Sequence, residues 1–374
     1  MKKLFLHIGT WKTGSSTIQY NLYRLRKELE KEGYFFLCKE NKMVINDGII
    51  RNFTSIENDY VKKSREKFKE ILDRKRSTNP DIDFISSAEE FSGNPFKGFK
   101  NAGAVAQNLF EITKGFGLDV NVIVYLRRQD DFFESFYQQS IRLGESHGFQ
   151  DFLKKFDESD FNWYHIVRSY AELFGHENII VRRYHNKFLP YENSLVQDFG
   201  KVIGSETISG FKSTTSRNRG YSRDILEITR IMNKYFDGEE RFQLRKLYDK
   251  IDSKLPFEKY SYFTANQRRA FLRKYEDSNY LVAKEFLDVE EKNSLFPEPD
   301  YERSIEEYKG LSTESVVAHF SKAILLVKQE AEKENRNRVQ GVKNKFFRFR
   351  VRRLLSKKLD RYPGFKRMIR RIIS

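Results

Sequence analysis

Residues 4–17 read Leu4-Phe5-Leu6-His7-Ile8-Gly9-Thr10-Trp11-Lys12-Thr13-Gly14-Ser15-Ser16-Thr17, and this stretch decides the fold. Leu4 to Ile8 is an apolar run that ends at a turn, the pattern of a buried strand. A helical pattern begins directly after it. Ile18, Leu22, Leu25 and Leu29 recur on one helical face, and Gly33 suits the C-terminus. A strand, a bend rich in Gly, Ser and Thr, and a helix together form an anion site. Backbone N–H groups and the helix dipole converge on the bend, and small residues let a ligand approach closely. The lysine separates this bend from the usual nucleotide-triphosphate loop, which carries its lysine directly after the second glycine. Here Lys12 precedes Gly14, and Gly14 is followed by Ser15, Ser16 and Thr17.

A second stretch works with the first. Val120 to Leu126 is rich in β-branched residues, as expected of a central parallel strand. It runs into Arg127-Arg128, and Ser135 lies eight positions beyond Arg127 in a helical pattern. The order K-T-G-S-S-T at 12–17 resembles the 5′-phosphosulfate loop of the sulfotransferases that use 3′-phosphoadenosine-5′-phosphosulfate (PAPS). The pair Arg127 and Ser135 resembles that family's 3′-phosphate motif, where a planar charged fork and a short hydroxyl donor share one phosphate. Tyr125 to Arg142, Phe161 to Asn186 and Asp81 to Ser92 resemble the bacterial, carbohydrate-type branch. The likeness runs from residue 1 to about 335 and is sharp only in the two phosphate motifs.

The resemblance implies roles. Lys12 contacts the bridging oxygen and the transferring sulfuryl group, while Thr13, Gly14, Ser15, Ser16 and Thr17 wrap the 5′-phosphate. Arg217 and Arg219, in the polar loop Ser213–Arg223, close over the adenosine and its 3′-phosphate, although this copy departs from the family's R-K-G form. Glu89 is the candidate base, because its spacing from Ser87 matches the family pattern and a carboxylate can take the acceptor hydroxyl's proton. Glu90, His165 and His7 are the alternatives. No metal is required, since basic residues and a helix N-terminus supply the positive charge. The acceptor is expected to be a hydroxyl of a glycan or glycolipid. An ATP-dependent kinase or another nucleotide-binding P-loop-like protein is the competing reading, and a non-catalytic module is a third.

Composition sets the bounds. The 374 residues include 34 Phe and 20 Tyr, which excludes a disordered chain. One cysteine, Cys38, excludes an internal disulfide and a thiolate zinc site. The six histidines show no metal spacing. Lys2 and Lys3 precede only a short apolar run that is needed as the first strand, so no signal peptide is expected, and the expected location is cytoplasmic.

Apolar runs Leu4–Ile8, Phe84–Ser87, Val120–Leu126 and Asn178–Val181, with Tyr34–Leu37 as a fifth, alternate with helical patterns. That alternation predicts an α/β fold: a P-loop-like parallel sheet flanked by helices, with ligands at the strand C-terminal ends. Residues 1–212 form this core and 213–340 a helical part of the same catalytic domain. Residues 341–374 are a basic amphipathic tail. The segment 41–79 is expected to lie over the site as a cap.

The tail holds 13 Lys or Arg and one acid, so it carries +12 of the net +16. Its apolar residues, among them Phe365, Met368, Ile369 and Ile372, repeat at helical spacing. That pattern predicts contact with an anionic membrane surface and a peripheral place on the inner membrane face. No nucleic acid is expected, because the tail's aromatics fit an apolar face better than base-stacking platforms.

Overall fold

The computed structural model describes residues 1–37, 58–157, 160–189, 194–211, 221–252, 260–287, 295–299 and 310–333. Arg217, Arg219 and the tail 341–374 lie outside these residues.

The strands are β1 (Lys2–His7), β2 (Tyr34–Phe36), β3 (Asp83–Ser87), β4 (Leu118–Leu126) and β5 (Ile179–Arg183). They form one parallel sheet in the order β2-β3-β1-β4-β5. β1 is central and covered on both faces. Leu4 and Leu6 face one side and Phe5 and His7 the other, and all four are buried. The ladder continues to the edge of the bend, where Ile8 N–H donates to the Ile123 carbonyl (2.9 Å) and Ala88 N–H to the His7 carbonyl (3.1 Å). After β1 the chain goes to the β2–β3 side, and after β3 it crosses to β4 on the other. That change of direction opens a crevice at the strand C-terminal ends, where ligands of open α/β sheets bind.

Helices α1 (Ser15–Arg24), α2 (Arg26–Glu32), α3 (Asn58–Thr78), α4 (Ala102–Thr113), α5 (Gln129–Arg142), α6 (Trp163–Phe174), α7 (Leu195–Ile203) and α8 (Arg223–Met232) follow in order, then α9 (Gly238–Asp252), α10 (Ala265–Arg273) and α11 (Glu276–Phe286). One face of the sheet packs through Phe5, Ile85, Ile123 and Tyr125 against Ile18 and Leu22 of α1, Leu29 of α2 and Phe199 of α7. Helix α6 packs on β4 and β5, and α4 packs against α6. The stripe 18–22–25–29 is shared by two helices, which meet at Leu25 (φ −97°, ψ 13°) and keep the same buried face. Gly33 ends α2 in the left-handed conformation (φ 99°), as its position predicts.

The described part of segment 41–79 does not lie over the site. Helix α3 packs along α4 through Phe68 and Leu72, and Arg65 donates to the carbonyls of Glu111 (2.7 Å) and Lys114 (2.8 Å). Its apolar face is satisfied beside the sheet.

The chain divides into two compact units. Met1–Phe236 with Phe257–Lys309 contains the sheet together with α8, α10 and α11. Asp237–Pro256 with Gly310–Ser374 contains α9 and a helix over 313–333, and an ion pair between Lys250 and Glu330 joins them. Among the described residues no helix is long and apolar enough to cross a membrane.

Candidate active site

The bend after β1 is braced by its own bonds. Thr10 Oγ1 donates to the Tyr125 carbonyl at 2.6 Å, Thr13 Oγ1 donates to the Thr10 carbonyl, and Arg127 Nη1 donates to the Lys12 carbonyl at 2.9 Å. Thus β4 and the residue that follows it hold the bend from two positions, Tyr125 and Arg127. Gly9 is needed for a different reason: a Cβ there would meet the His7 ring at 2.8 Å. Gly14 adopts φ 79° as the residue capping α1, and Thr17 N–H closes the first turn onto its carbonyl at 2.8 Å. No side chain caps α1 and no acid stands in its first turn. Its N-terminal N–H groups and dipole are therefore available to an anion.

Lys12 is one of few non-glycine residues with positive φ, at 65°. That conformation costs of order 1 kcal/mol and is characteristic of functional sites. Its ammonium donates to Gln139 Oε1 at 3.0 Å. Burial lowers its pKa to about 8, with repulsion from Arg127 and Arg142 adding to the effect and Glu89 partly opposing it. Ser135, Gln139 and Arg142 stand at i, i+4 and i+7 on α5, one helical face. The contact between Lys12 and Gln139 therefore turns the Ser135 face toward the bend. Neither Gln139 nor Arg142 was singled out in the sequence, although their spacing from Ser135 held the signal.

The hydroxyls of the bend divide into two groups. Those of Thr13 and Ser15 are buried and engaged, Thr13 with the Thr10 carbonyl and Ser15 with Glu89 Oε2 at 2.9 Å. Ser16 is exposed and Thr17 half-buried. For an anion, Thr13 and Ser15 thus offer backbone N–H, while Ser16 and Thr17 offer hydroxyls as well.

Glu89 begins the short 3-10 helix Glu89–Ser92 after β3. Burial raises its pKa, and Glu90 raises it further, while the Ser15 hydrogen bond and the Lys12 charge pull the other way. A carboxyl so placed is a better proton acceptor than an ordinary surface glutamate. His7 is held inside the sheet. It is fully buried, Nδ1 lies 2.7 Å from Ser87 Oγ, and burial drives its pKa down to about 3. His165 is exposed in the first turn of α6, where Asn162 caps its backbone N–H at 3.1 Å.

Arg127 and Arg128 have different duties. Arg127 holds the Lys12 carbonyl and lies 5.7 Å from the Tyr184 ring centroid. Arg128 is taken up by Asp130 (2.6 and 2.9 Å) and the Pro297 carbonyl (3.0 Å). Asp130, fully buried, also pairs with Arg268 of α10. Glu134 accepts from Tyr262 N–H at 2.7 Å and from Ser261, and burial raises its pKa. This buried network fastens α5 to the segment 261–268. The sequence does not show it, because its two halves, 128–134 and 261–268, are more than 100 residues apart.

A groove lined by Phe96, Lys97, Lys100, Lys154, Phe156 and Asp160, among others, begins beside the bend. The Phe96 ring meets Trp11 edge-on at 6.3 Å, one residue before Lys12. Among the described residues no cluster of three or more His, Cys, Asp or Glu is placed to hold a metal ion.

The structure thus brings Lys12, Thr13, Gly14, Ser15, Arg127 and Glu89 to one place, the bend at the head of a parallel sheet beside the uncapped N-terminus of α1. No family model matches the chain. An uncharacterised protein of Archaeoglobus fulgidus is 23% identical over 201 residues, which cover 50% of this chain and 55% of that protein. The chain thus spans about half the length of that curated relative. The crystal structure of a sulfotransferase from Alicyclobacillus acidocaldarius aligns over 59% of this chain and 87% of its own, at 15% identity and a TM-score of 0.35.

Proposed function

We propose that the chain transfers a sulfuryl group from PAPS to an acceptor hydroxyl of a glycan or glycolipid. The observation that carries the reading is the pairing of a strained, part-buried lysine with a carboxyl across an open helix N-terminus. Lys12 lies on one side, held by Gln139, and Glu89 on the other, held by Ser15. In this reading the acceptor oxygen bonds to sulfur as the bridging S–O bond breaks. Glu89 takes the hydroxyl proton, and Lys12 with the N-terminus of α1 holds the charge left on the departing bisphosphate. A fixed donor at developing charge contributes about 3–4 kcal/mol to such a step. Arg127 and Ser135 hold the donor's 3′-phosphate, and Arg217 and Arg219 close over the nucleotide. The groove beside Trp11 supports a sugar acceptor, since two aromatic rings, Phe96 and Phe156, line it together with polar and charged groups, among them Lys97, Asn101 and the Lys100–Asp157 pair.

The test is transfer of labelled sulfate from PAPS to cell-envelope polysaccharide and lipid fractions. Label in a polysaccharide or glycolipid fraction that depends on Lys12 supports the reading. No transfer to any fraction, with ATP hydrolysed or its phosphate transferred instead, contradicts it.

A further inference from the structure

The helix over 313–333 presents an exposed apolar face. Val316, Val317, Phe320, Ile324 and Val327 fall within roughly 100° of arc at 3.6 residues per turn. All five are between 42% and 62% exposed. His319 and Ala323, on another side of the same helix, are buried. The helix is therefore packed on one side and presents a continuous stripe on another. A stripe of this kind marks a docking surface, whereas single exposed apolar residues are ordinary.

The charge of the neighbouring sequence identifies the partner. Past this helix, residues 341–374 carry 13 Lys or Arg and one acid. Phe365, Met368, Ile369 and Ile372 repeat the apolar helical spacing there. We propose that the 313–333 stripe and the basic tail together dock on an anionic lipid surface. The stripe enters the boundary between headgroups and acyl chains, and the lysines and arginines pair with lipid phosphates. Each basic residue near such a surface strengthens partition about fivefold. A second copy of the chain fits less well. Five half-exposed side chains fall short of the roughly 800 Å² per partner of a stable interface, and two tails of the same sign repel. This inference does not depend on the sulfotransferase reading.

The test is flotation of the full-length protein with vesicles of phosphatidylcholine alone, or with about one third phosphatidylglycerol. Full-length protein should float only with the anionic vesicles. The triple variant Val317→Ser, Phe320→Ser, Ile324→Ser should bind at least tenfold more weakly, with unchanged circular dichroism. In about 1 M salt, where charges are screened beyond ~3 Å, full-length protein should keep part of its binding and the triple variant none. A fluorophore on Phe320→Cys, in a Cys38→Ser background, should shift to the blue when anionic vesicles are added. The proposal is overturned if full-length protein ignores anionic vesicles, or if the triple variant binds as well as the parent. It is also overturned if sedimentation shows a dimer that the triple variant dissociates. A fluorophore already blue-shifted without vesicles, and released by deleting 341–374, would show the stripe covered by the tail and overturn it as well.

Discussion

Replacing Lys12 by methionine should stabilise the donor-free protein while removing most of its turnover. The side chain keeps its length and its left-handed backbone, and only the charge is lost. Burial and two neighbouring guanidinium groups bring the lysine's pKa from 10.5 to about 8. At 1.36 kcal/mol per pH unit, that drop corresponds to about 3 kcal/mol of destabilisation by the charged form. Loss of the bond to Gln139 takes back about 1 kcal/mol, leaving a net gain of about 2 kcal/mol. The sign follows from proton binding. Between pH 8 and 10.5 the unfolded chain holds the lysine's proton and the folded chain has released it, so parent stability rises with pH across that window. The variant's advantage is therefore full below about pH 8, and above about pH 10.5 it gives way to the roughly 1 kcal/mol cost of the lost Gln139 bond. Urea unfolding of both proteins at several pH values measures it. Turnover should fall by about two to three orders of magnitude, the scale for loss of one charge-stabilising contact. A variant less stable than the parent at neutral pH, or one that keeps near-normal turnover, would refute the reasoning.

Three further outcomes follow from the geometry. Arg127→Ala and Ser135→Ala should each weaken binding of a 3′-phosphorylated nucleotide more than of the same nucleotide without that phosphate, and equal losses by calorimetry would remove both from that role. Glu89→Gln should lower turnover with little change in donor affinity. If Glu90→Gln behaves so instead, the base is the next residue; if neither does, His165 is the next candidate. Asp130→Asn should cost about 3–5 kcal/mol in denaturant unfolding, because it leaves Arg128 and Arg268 buried beside a neutral partner; a cost below about 1 kcal/mol would show the network to be solvated.

What the sequence revealed was local. The strands β1 and β4 were legible because β-branched and apolar runs end sharply at turn residues, and Gly115 and Gly117 (φ 79° and 63°) form the turn before β4. The anion bend was legible because its residues are contiguous. The end of β5 was not, since Arg182 and Arg183 look like a loop until Asp198 is seen to take the Arg182 guanidinium. The braces of the site were equally hidden. Ser15 and Glu89, Lys12 and Gln139, and Lys12 and Arg127 meet only through the order of strands in the sheet. The clash that fixes Gly9 is a local i, i+2 contact, but it shows only once the His7 ring is seen to turn toward the Gly9 position. The split of α1 from α2 was invisible because the buried stripe continues through Leu25.

The most direct test of a donor site that reads a 3′-phosphate is calorimetric titration of the full-length protein, with and without magnesium, with adenosine 3′,5′-bisphosphate, adenosine 5′-phosphate and ATP. Charge-assisted hydrogen bonds to one phosphate are worth about 1.5–3 kcal/mol. The bisphosphate should therefore bind about ten to a hundred times more tightly than the 5′-phosphate, with no need for magnesium, and Lys12→Met should leave that ratio unchanged. Equal affinity for the two monoadenosine ligands, or binding of ATP that is tightest and requires magnesium, would contradict the account.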